Sequence, residues 1–347
     1  MRLATERKAM SQRSATRSVL TLCLTSAFIL SACASVNTHP PGSQTAVDVE
    51  SSLSMWRATD EKQAILHYVA SVTEPGGPEF IPPEHRIATF DFDGTIGCEK
   101  PDYMEVMVAM QRLCELTEDK PELLEEPLYE AACDGDLSTL DAQVEDVLLT
   151  AFEGESQDFY VEYVEEFLRT AQHPRFERPY GELFYAPMQQ LIEFLRANDF
   201  TVYIVSGSQQ GFTRGYGTSR LGFGAERTIG YAVDLEYSVV DDSPALLRQD
   251  GFLSPSVGGK GKVEIIRNRI GRPPVFAFGN SMGDFEMLQY TTSHDYPSLG
   301  LILVHDDPDE YVYRDDTLIQ HAEDLGWQVV RMQESFEVIF PDAGNAR

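Results

Sequence analysis

One stretch of the chain decides the fold: RIATFDFDGT, residues 86–95. Its apolar first half predicts a buried strand, and Gly94 lets the backbone turn directly after it. Two carboxylates, Asp91 and Asp93, stand two residues apart at the end of that strand. Because Asp and Gly are also common in ordinary turns, this stretch indicates a functional strand end only if further motifs accompany it.

Three further polar motifs follow predicted strands or lead into a predicted helix. They are Val205-Ser206-Gly207-Ser208, Gly258-Gly259-Lys260-Gly261-Lys262 and Phe278-Gly279-Asn280-Ser281-Met282-Gly283-Asp284. Each of them is weak on its own. Their order along the chain and their positions after apolar strands give them weight together.

Strand and helix patterns alternate over much of the chain. Apolar runs predict strands at residues 86–92, 201–205, 275–278, 301–304 and 327–330, and helical spacing marks residues 55–72, 184–195 and 262–270. This alternation predicts an α/β fold, with a parallel sheet covered by helices on both faces. Ligands bind at the carboxyl ends of the strands in such sheets, which is where the motifs are predicted to meet.

Taken together, the four motifs resemble those of phosphatases of the haloacid dehalogenase (HAD) superfamily. The branch that matches best is similar to phosphoserine phosphatases and to a group of secreted bacterial HAD hydrolases. The resemblance covers roughly residues 56–340. It implies a Rossmann-like core, a helical cap inserted after the first motif, and a Mg²⁺-dependent reaction through an aspartyl-phosphate.

The resemblance also implies roles for individual residues. Asp91 is expected to attack phosphorus, while Asp93 protonates the leaving alcohol and then deprotonates the attacking water. Phosphate oxygens are expected to be bound by Ser206, the Gly207 N–H and Thr95. Hard oxygen ligands favour Mg²⁺. The expected ligands are Asp91, the main-chain carbonyl of Asp93, Asn280 and Asp284.

Two lysines compete for the role of neutralising charge on the nucleophile and the phosphoryl group. The run Gly-Gly-Lys-Gly-Lys-Val resembles the phosphoserine phosphatase stretch in which the first lysine acts, which favours Lys260. The helical period, with Ile265 and Ile266 three and four residues further on, favours Lys262. The lysine that is not used is expected to lie on the surface.

Asn280 departs from the pattern of many relatives, which place Asp at this position as a metal ligand. An Asn ligates through its amide oxygen but adds no negative charge. Either Asn280 is a neutral ligand or Asp284 holds the metal directly or through water.

The predicted organisation has five parts. They are a signal peptide at residues 1–32, a tether at 33–55, the first part of the core at 56–97, a helical cap at 98–180 and the second part of the core at 181–341. Caps of this kind close over a site and contact the leaving group.

Residues of the predicted cap indicate which kinds of substrate the site could accept. Phosphoserine phosphatases place a Glu at the position of Lys100, and here Glu99 stands only beside it, which argues against serine recognition. Arg112, Arg169 and Arg175 are candidates to face an anionic substrate, although solvated arginines on helix surfaces are the commoner case.

The chain is strongly acidic, with a formal net charge of −29. Nucleic-acid binding needs clustered Lys and Arg, so this charge excludes nucleic acid as an expected partner. It also argues against electrostatic attraction to anionic lipid.

The N-terminus predicts a targeting segment. A basic start is followed by an apolar run at residues 19–30 and then by Leu30-Ser31-Ala32-Cys33, which resembles a bacterial lipobox. The resemblance implies cleavage before Cys33 and lipidation of its sulfur. The predicted location is the cell envelope, on the outer membrane and facing the periplasm, with membrane contact through the lipid anchor only.

Three cysteines remain after the signal peptide and the lipidated Cys33. An odd number in an oxidising compartment permits one disulfide and one free thiol. The preferred pair is Cys114 with Cys133, because Cys98 lies close to the predicted active site.

The predicted function is hydrolysis of small phosphomonoesters. Two alternatives stay open: a phosphotransferase that uses the same intermediate, and an envelope lipoprotein that keeps the fold without catalysis. The oligomeric state cannot be predicted from these residues.

Overall fold

The computed structural model of the protein describes residues 53–253 and 258–341. The predicted signal peptide, Cys33 and most of the predicted tether lie outside these residues. Within the described ranges, no helix has the length and apolar character that crossing a bilayer requires.

A six-stranded parallel sheet forms the centre of the fold. Its strands are β1 (Ile87–Phe90), β2 (Thr201–Gln209), β3 (Thr228–Tyr231), β6 (Phe276–Gly279), β7 (Leu299–Val304) and β8 (Gln328–Arg331). Their order across the sheet is β3-β2-β1-β6-β7-β8. The α/β fold class predicted from the sequence is confirmed. The short strand β3 escaped prediction, since four buried residues give too little pattern.

Helices cover both faces of the sheet. They are α1 (Asp60–Thr73), α7 (Ala186–Ala197), α8 (Gln210–Ser219), α9 (Lys260–Arg269), α10 (Phe285–Thr292), α11 (Asp316–Leu325) and α12 (Met332–Ser335). Alternate residues of a strand point to opposite faces. Phe276 and Phe278 accordingly join a core that includes α1 and α7, whereas Ala277 joins a second core with α9, α10 and α11.

A second layer lies over the carboxyl edge of the sheet. Its helices are α2 (Met104–Asp119), α3 (Pro127–Asp134), α4 (Leu137–Asp141), α5 (Val144–Thr150) and α6 (Gln157–Thr170). All of them lie within the segment that the sequence predicted as a helical cap. A disulfide joins Cys114 to Cys133, with the Cα atoms 4.8 Å apart, which confirms the preferred pairing. Cys98 is a buried free thiol.

An antiparallel hairpin extends this layer and was not predicted. Its strands are β4 (Val233–Val240) and β5 (Ser243–Phe252). The connecting residues Asp241 and Asp242 both have positive φ, as two-residue hairpin turns that follow the strand twist require. Strand β5 packs against α5 and α6. The cap is therefore mixed rather than purely helical.

Candidate active site

The first and fourth motifs meet at the carboxyl edge of the sheet. Asp91 directly follows the buried strand β1, and its N–H donates a 2.9 Å hydrogen bond to the Phe278 carbonyl of β6. Gly94 has a φ of +72°, and a Cβ there would collide with the Asn280 amide and the Glu99 carboxyl. Glycine is therefore required at position 94, where the backbone of the first motif turns against the Asn280 side chain of the fourth motif.

Lys262 is the lysine that reaches Asp91. Its ammonium lies 2.5 Å from Asp91 Oδ1 and 2.6 Å from Asp284 Oδ1, and all three side chains are almost fully buried. Burial lowers the pKa of Lys262, but Asp284 and Asp91 together raise it above its ordinary value. Lys262 is therefore a fixed positive charge at the site. Lys260, the alternative candidate, is exposed at the start of α9.

The charge state of Asp91 depends on its surroundings. Burial and the nearby Asp284 raise the pKa of Asp91, and Lys262 lowers it, with a net value of about 7. A second cation beside Asp91 would favour the ionised, nucleophilic form.

Asp93 has the environment of a proton donor. Its Oδ2 accepts a 3.0 Å hydrogen bond from the Ser208 hydroxyl, while its buried Oδ1 has no partner among the described residues. Burial, followed by the charges of Asp91 and Glu99, raises the pKa of Asp93 well above its usual range. A raised pKa favours the protonated carboxyl, which is the form that can donate a proton to a leaving group.

Two of the predicted phosphate ligands are buried beneath the cavity. The Ser206 hydroxyl faces Asp93 Oδ2 at 3.5 Å and accepts from the Ser208 N–H at 3.0 Å. The Thr95 hydroxyl contacts Asp91 Oδ2 at 3.4 Å and the Asn280 amide at 3.1 Å. Both side chains are fully buried, so in this structure they hold the acidic residues in place. Gly207, the third candidate, lies exposed on the cavity wall.

The Asn280 amide sits among acceptors. One atom of the amide lies 3.2 Å from Asp91 Oδ2 and 3.0 Å from the main-chain oxygen of Asp93. With nitrogen in that position, the amide donates to both oxygens. With oxygen there, three oxygens converge and the amide nitrogen donates instead to Glu99 Oε1 at 3.4 Å. The second orientation places Asn280 as a neutral cation ligand.

The spacing of these three oxygens suits magnesium. Neighbouring ligands of an octahedral Mg²⁺ lie roughly 3 Å apart, because each is about 2.1 Å from the ion. No group of three or more His, Cys, Asp or Glu side chains in residues 53–253 and 258–341 is arranged to hold a metal. The candidate set instead combines one carboxylate, one main-chain carbonyl and one amide oxygen.

Asp284 is held by hydrogen-bond donors of the protein. Its Oδ2 accepts from the N–H groups of Asn280 and Ser281 at 3.0 and 3.2 Å, and its Oδ1 accepts from Lys262. Protein donors therefore occupy both of its carboxylate oxygens. Asp284 fixes the fourth motif and orients Lys262.

A buried histidine supports the first motif from below. The ring of His305, which follows β7, lies with Nε2 2.7 Å from the Gly94 carbonyl oxygen and Nδ1 3.2 Å from Glu310 Oε2. Tyr185 donates to the other Glu310 oxygen at 3.0 Å. This chain of contacts fixes the turn between Asp93 and Thr95.

A cavity of about 430 Å³ opens above the carboxylates. Asp91, Asp93 and Lys262 lie at its base, and the rest of the lining comes mainly from the cap. The cap and the segments beside it contribute Glu99, Tyr103, Glu105, Val106, Val144, Glu145, Leu148, Tyr231 and Phe252.

Sequence reasoning missed several residues of this site. Ser208 could have been found, because it stands two residues after Ser206 and period-2 spacing places both on one side of a strand. Glu105 gave no such signal, since it looks like one more charge on an acidic helix. In the structure Glu105 is buried and accepts from the Tyr160 hydroxyl at 2.8 Å and from the Gln209 N–H at 3.1 Å.

The chain belongs to the haloacid dehalogenase-like hydrolase family, whose model matches residues 88–289. That range includes all four motifs and the cap. The family accounts for the parallel core and for the strand-end carboxylates. No curated protein matches the chain.

Solved structures share the fold at low sequence identity. A conserved protein of unknown function from Anaerococcus prevotii DSM 20548 is 16% identical, with a TM-score of 0.50 over 78% of this chain and 91% of that one. A phosphoserine phosphohydrolase-like protein from Francisella tularensis is also 16% identical, with a TM-score of 0.35 over 68% of this chain and 98% of that one. At such identities the likeness to the Anaerococcus protein shows the fold alone.

Proposed function

We propose that this hydrolase is a Mg²⁺-dependent phosphatase that cleaves small phosphomonoesters through an aspartyl-phosphate on Asp91. One observation carries the proposal: Asp91 is held by Lys262 at the base of a cavity, two residues before the buried carboxyl of Asp93, whose pKa is raised well above its usual range. This arrangement pairs a nucleophile with a matched acid. A carboxylic acid at residue 93 can protonate the alcohol oxygen as its bond to phosphorus breaks.

The chain's own groups account for the proton transfers. Asp91 forms a bond to phosphorus as the bond to the alcohol oxygen breaks, and Asp93 gives its proton to that oxygen. Asp93, now ionised, takes a proton from water as the water oxygen attacks the aspartyl-phosphate. Phosphate leaves and Asp91 is regenerated, so one water is consumed for each ester cleaved.

Charge neutralisation is shared between Lys262 and a cation. A phosphomonoester is doubly negative and repels the ionised Asp91, so positive charge must offset both. Asp91, the Asp93 carbonyl and the Asn280 amide oxygen fit Mg²⁺, which would supply part of that charge when bound. In the orientation that presents its oxygen to the cation, the Asn280 amide nitrogen donates to Glu99.

The location of the enzyme is part of the proposal. The Leu-Ser-Ala-Cys ending supports lipidation of Cys33 and attachment to the bacterial cell envelope, on the outer membrane and facing the periplasm. Small phosphorylated metabolites are the proposed substrates there. The charge of −29 argues against nucleic acid as a partner.

The direct test is hydrolysis of p-nitrophenyl phosphate by the mature domain, with and without Mg²⁺. We expect turnover that requires Mg²⁺ and is lost on chelation. Adding a second alcohol and analysing the products separates hydrolysis from transfer to an acceptor. Absence of turnover with this ester and with a broad panel of phosphate esters would overturn the proposal and favour a non-catalytic role.

A further inference from the structure

The walls of the active-site cavity carry carboxyl groups in addition to Asp91 and Asp93. Glu99, Glu105 and Glu145 line the cavity, and Lys262 is the one basic side chain among its described lining residues. Lys262 is already engaged by Asp91 and Asp284. An alcohol that carried a second anion would therefore find no free cation on the described walls.

The three glutamates differ in what they offer a substrate. Glu105 already accepts hydrogen bonds from Tyr160 and from the Gln209 N–H, and burial raises its pKa to about 7, so the negative charge offered to a substrate comes from Glu99 and Glu145. Glu99 is 7% exposed, and its Oε1 lies 3.4 Å from the Asn280 amide nitrogen and 3.9 Å from Lys100 Nζ. Lys100 lies over the Tyr313 ring, outside the cavity lining. Glu145 is exposed at the rim.

Aromatic rings complete the wall. Tyr103, Tyr231 and Phe252 line the same cavity, and the rings of the last two pack edge to face with centroids 4.9 Å apart. Aromatic faces combined with carboxylates attract organic cations, because the ring quadrupole and the full charges act in the same direction. The same surroundings offer little to a neutral polyol, which would need directed hydrogen bonds.

The arginines considered for an anionic substrate point elsewhere. Arg112 is paired with Glu155 at 2.7 Å, and Arg169 is paired with Glu166 on an exposed helix surface. Arg175 donates to the Pro308 carbonyl at 2.7 Å. None of the three lines the cavity.

We infer that the substrate is the phosphate monoester of a small alcohol carrying a fixed positive charge, such as an alkylammonium group. This substrate class rests on the proposed phosphatase function. The phosphate is placed at Asp91 and the ammonium group against Glu99, Glu145 and the aromatic rings. An ester with a carboxylate or a second phosphate on the alcohol is rejected by the same charges.

The test compares two esters of the same shape with the Mg²⁺-loaded mature enzyme. Choline phosphate and 3,3-dimethylbutyl phosphate differ in having nitrogen or carbon at the branch, and so in charge. We expect kcat/KM to be at least roughly tenfold higher for choline phosphate, a ratio within the range of one cation–π or ion-pair contact. The carboxylate-bearing ester 3-phosphoglycerate should be the poorest of the three.

Variants of the cavity lining test whether these residues cause the preference for the charged ester. Glu145→Gln should lower the ratio of the two kcat/KM values, whereas Asp146→Asn on the same helix, outside the cavity lining, should leave the ratio nearly unchanged. Tyr103→Leu should lower the ratio, and Tyr103→Phe should retain it because the ring face remains. These ratios cancel any general loss of folded enzyme.

Each outcome bears on one of the two claims. Equal rates for the two esters, or a preference for the neutral one, would overturn the cationic substrate class and leave the phosphatase intact. So would hydrolysis of p-nitrophenyl phosphate without turnover of either ester. Failure to hydrolyse any ester, p-nitrophenyl phosphate included, would overturn the proposed function and the inference with it.

Discussion

Lys262 Nζ lies 2.5 Å from Asp91 Oδ1, although the two residues are 171 positions apart in the chain. Asp91 directly follows strand β1, and Lys262 lies in the first turn of α9. Asp284 holds the same ammonium from the other side, at 2.6 Å. The fold thus assembles a buried charge triad from three motifs, and the proposed chemistry depends on it.

The two lysines of the third motif should behave differently. We expect Lys262→Met to lower kcat by at least about a hundredfold, a typical loss when a charge aimed at the transition state is removed. Lys260→Met is the matched control and should stay within about threefold of the parent, because Lys260 is exposed. Steady-state kinetics on p-nitrophenyl phosphate, with circular dichroism to check folding, measures both. The reverse pattern would assign the role to Lys260.

Asn280 should set the affinity for magnesium. Asn280→Asp adds a charge to the ligand set, so Mg²⁺ should bind more tightly and competitive inhibition by inorganic phosphate should weaken, since affinity for hard cations rises with ligand charge. Asn280→Ala should bind Mg²⁺ at least about tenfold more weakly, as loss of a ligand or its support commonly does. Calorimetric titration of both variants measures this directly. Unchanged Mg²⁺ binding in Asn280→Asp would mean that residue 280 does not contact the ion.

Glu105 should make stability depend on pH. Burial raises the pKa of Glu105 from 4.5 to about 7, against the hydrogen bonds from Tyr160 and Gln209. Over this window the folded state binds a proton that the unfolded state has released, so the stability contributed by Glu105 is largest below pH 4.5 and falls as pH rises to 7. The fall is about 3 kcal/mol.

Comparison with a variant isolates this contribution. Glu105→Gln cannot titrate, so the free energy of unfolding of the parent minus that of the variant should decrease by about 3 kcal/mol between pH 4.5 and pH 8. Urea unfolding at several pH values supplies both numbers. A difference that stays constant, or one that grows with pH, would contradict the protonated state of Glu105.

The anchor has its own test. Cys33→Ser should release the protein from membranes and leave kcat unchanged, because the lipid and the catalytic domain are separate parts of the chain. Detergent phase partitioning of cells expressing both forms is the measurement. If the Cys33→Ser protein still entered the detergent phase, attachment would have to come from another feature.

The parallel core was predictable because its signal is local. Strand β1 is buried on both faces and has three apolar residues out of four, and Asp91 and Asp93 follow it closely. The hairpin β4–β5 was not predictable in this way. Its turn, Asp241-Asp242, lacks the glycine that usually marks a two-residue hairpin, and its packing partners α5 and α6 lie far away in sequence.

The same contrast holds for the site. The helical period favoured Lys262, because the spacing of Ile265 and Ile266 predicts which face of the helix is buried, and the structure places Lys262 beside Asp91. The contacts of Asp284 could not be predicted, because its partners include main-chain N–H groups, which no sequence motif displays. Its side chain is committed to the loop and to Lys262.

The proposed mechanism depends most on Asp91 being the nucleophile that forms a covalent aspartyl-phosphate. The most direct measurement is to mix enzyme and substrate, quench in acid, reduce with borohydride and sequence the peptides by mass spectrometry. An aspartyl-phosphate is reduced to homoserine, so we predict homoserine at residue 91 in the substrate-treated parent and its absence in Asp91→Asn, which should be inactive. Unmodified Asp91 in an enzyme quenched during turnover, or an Asp91→Asn variant within tenfold of the parent rate, would contradict the account.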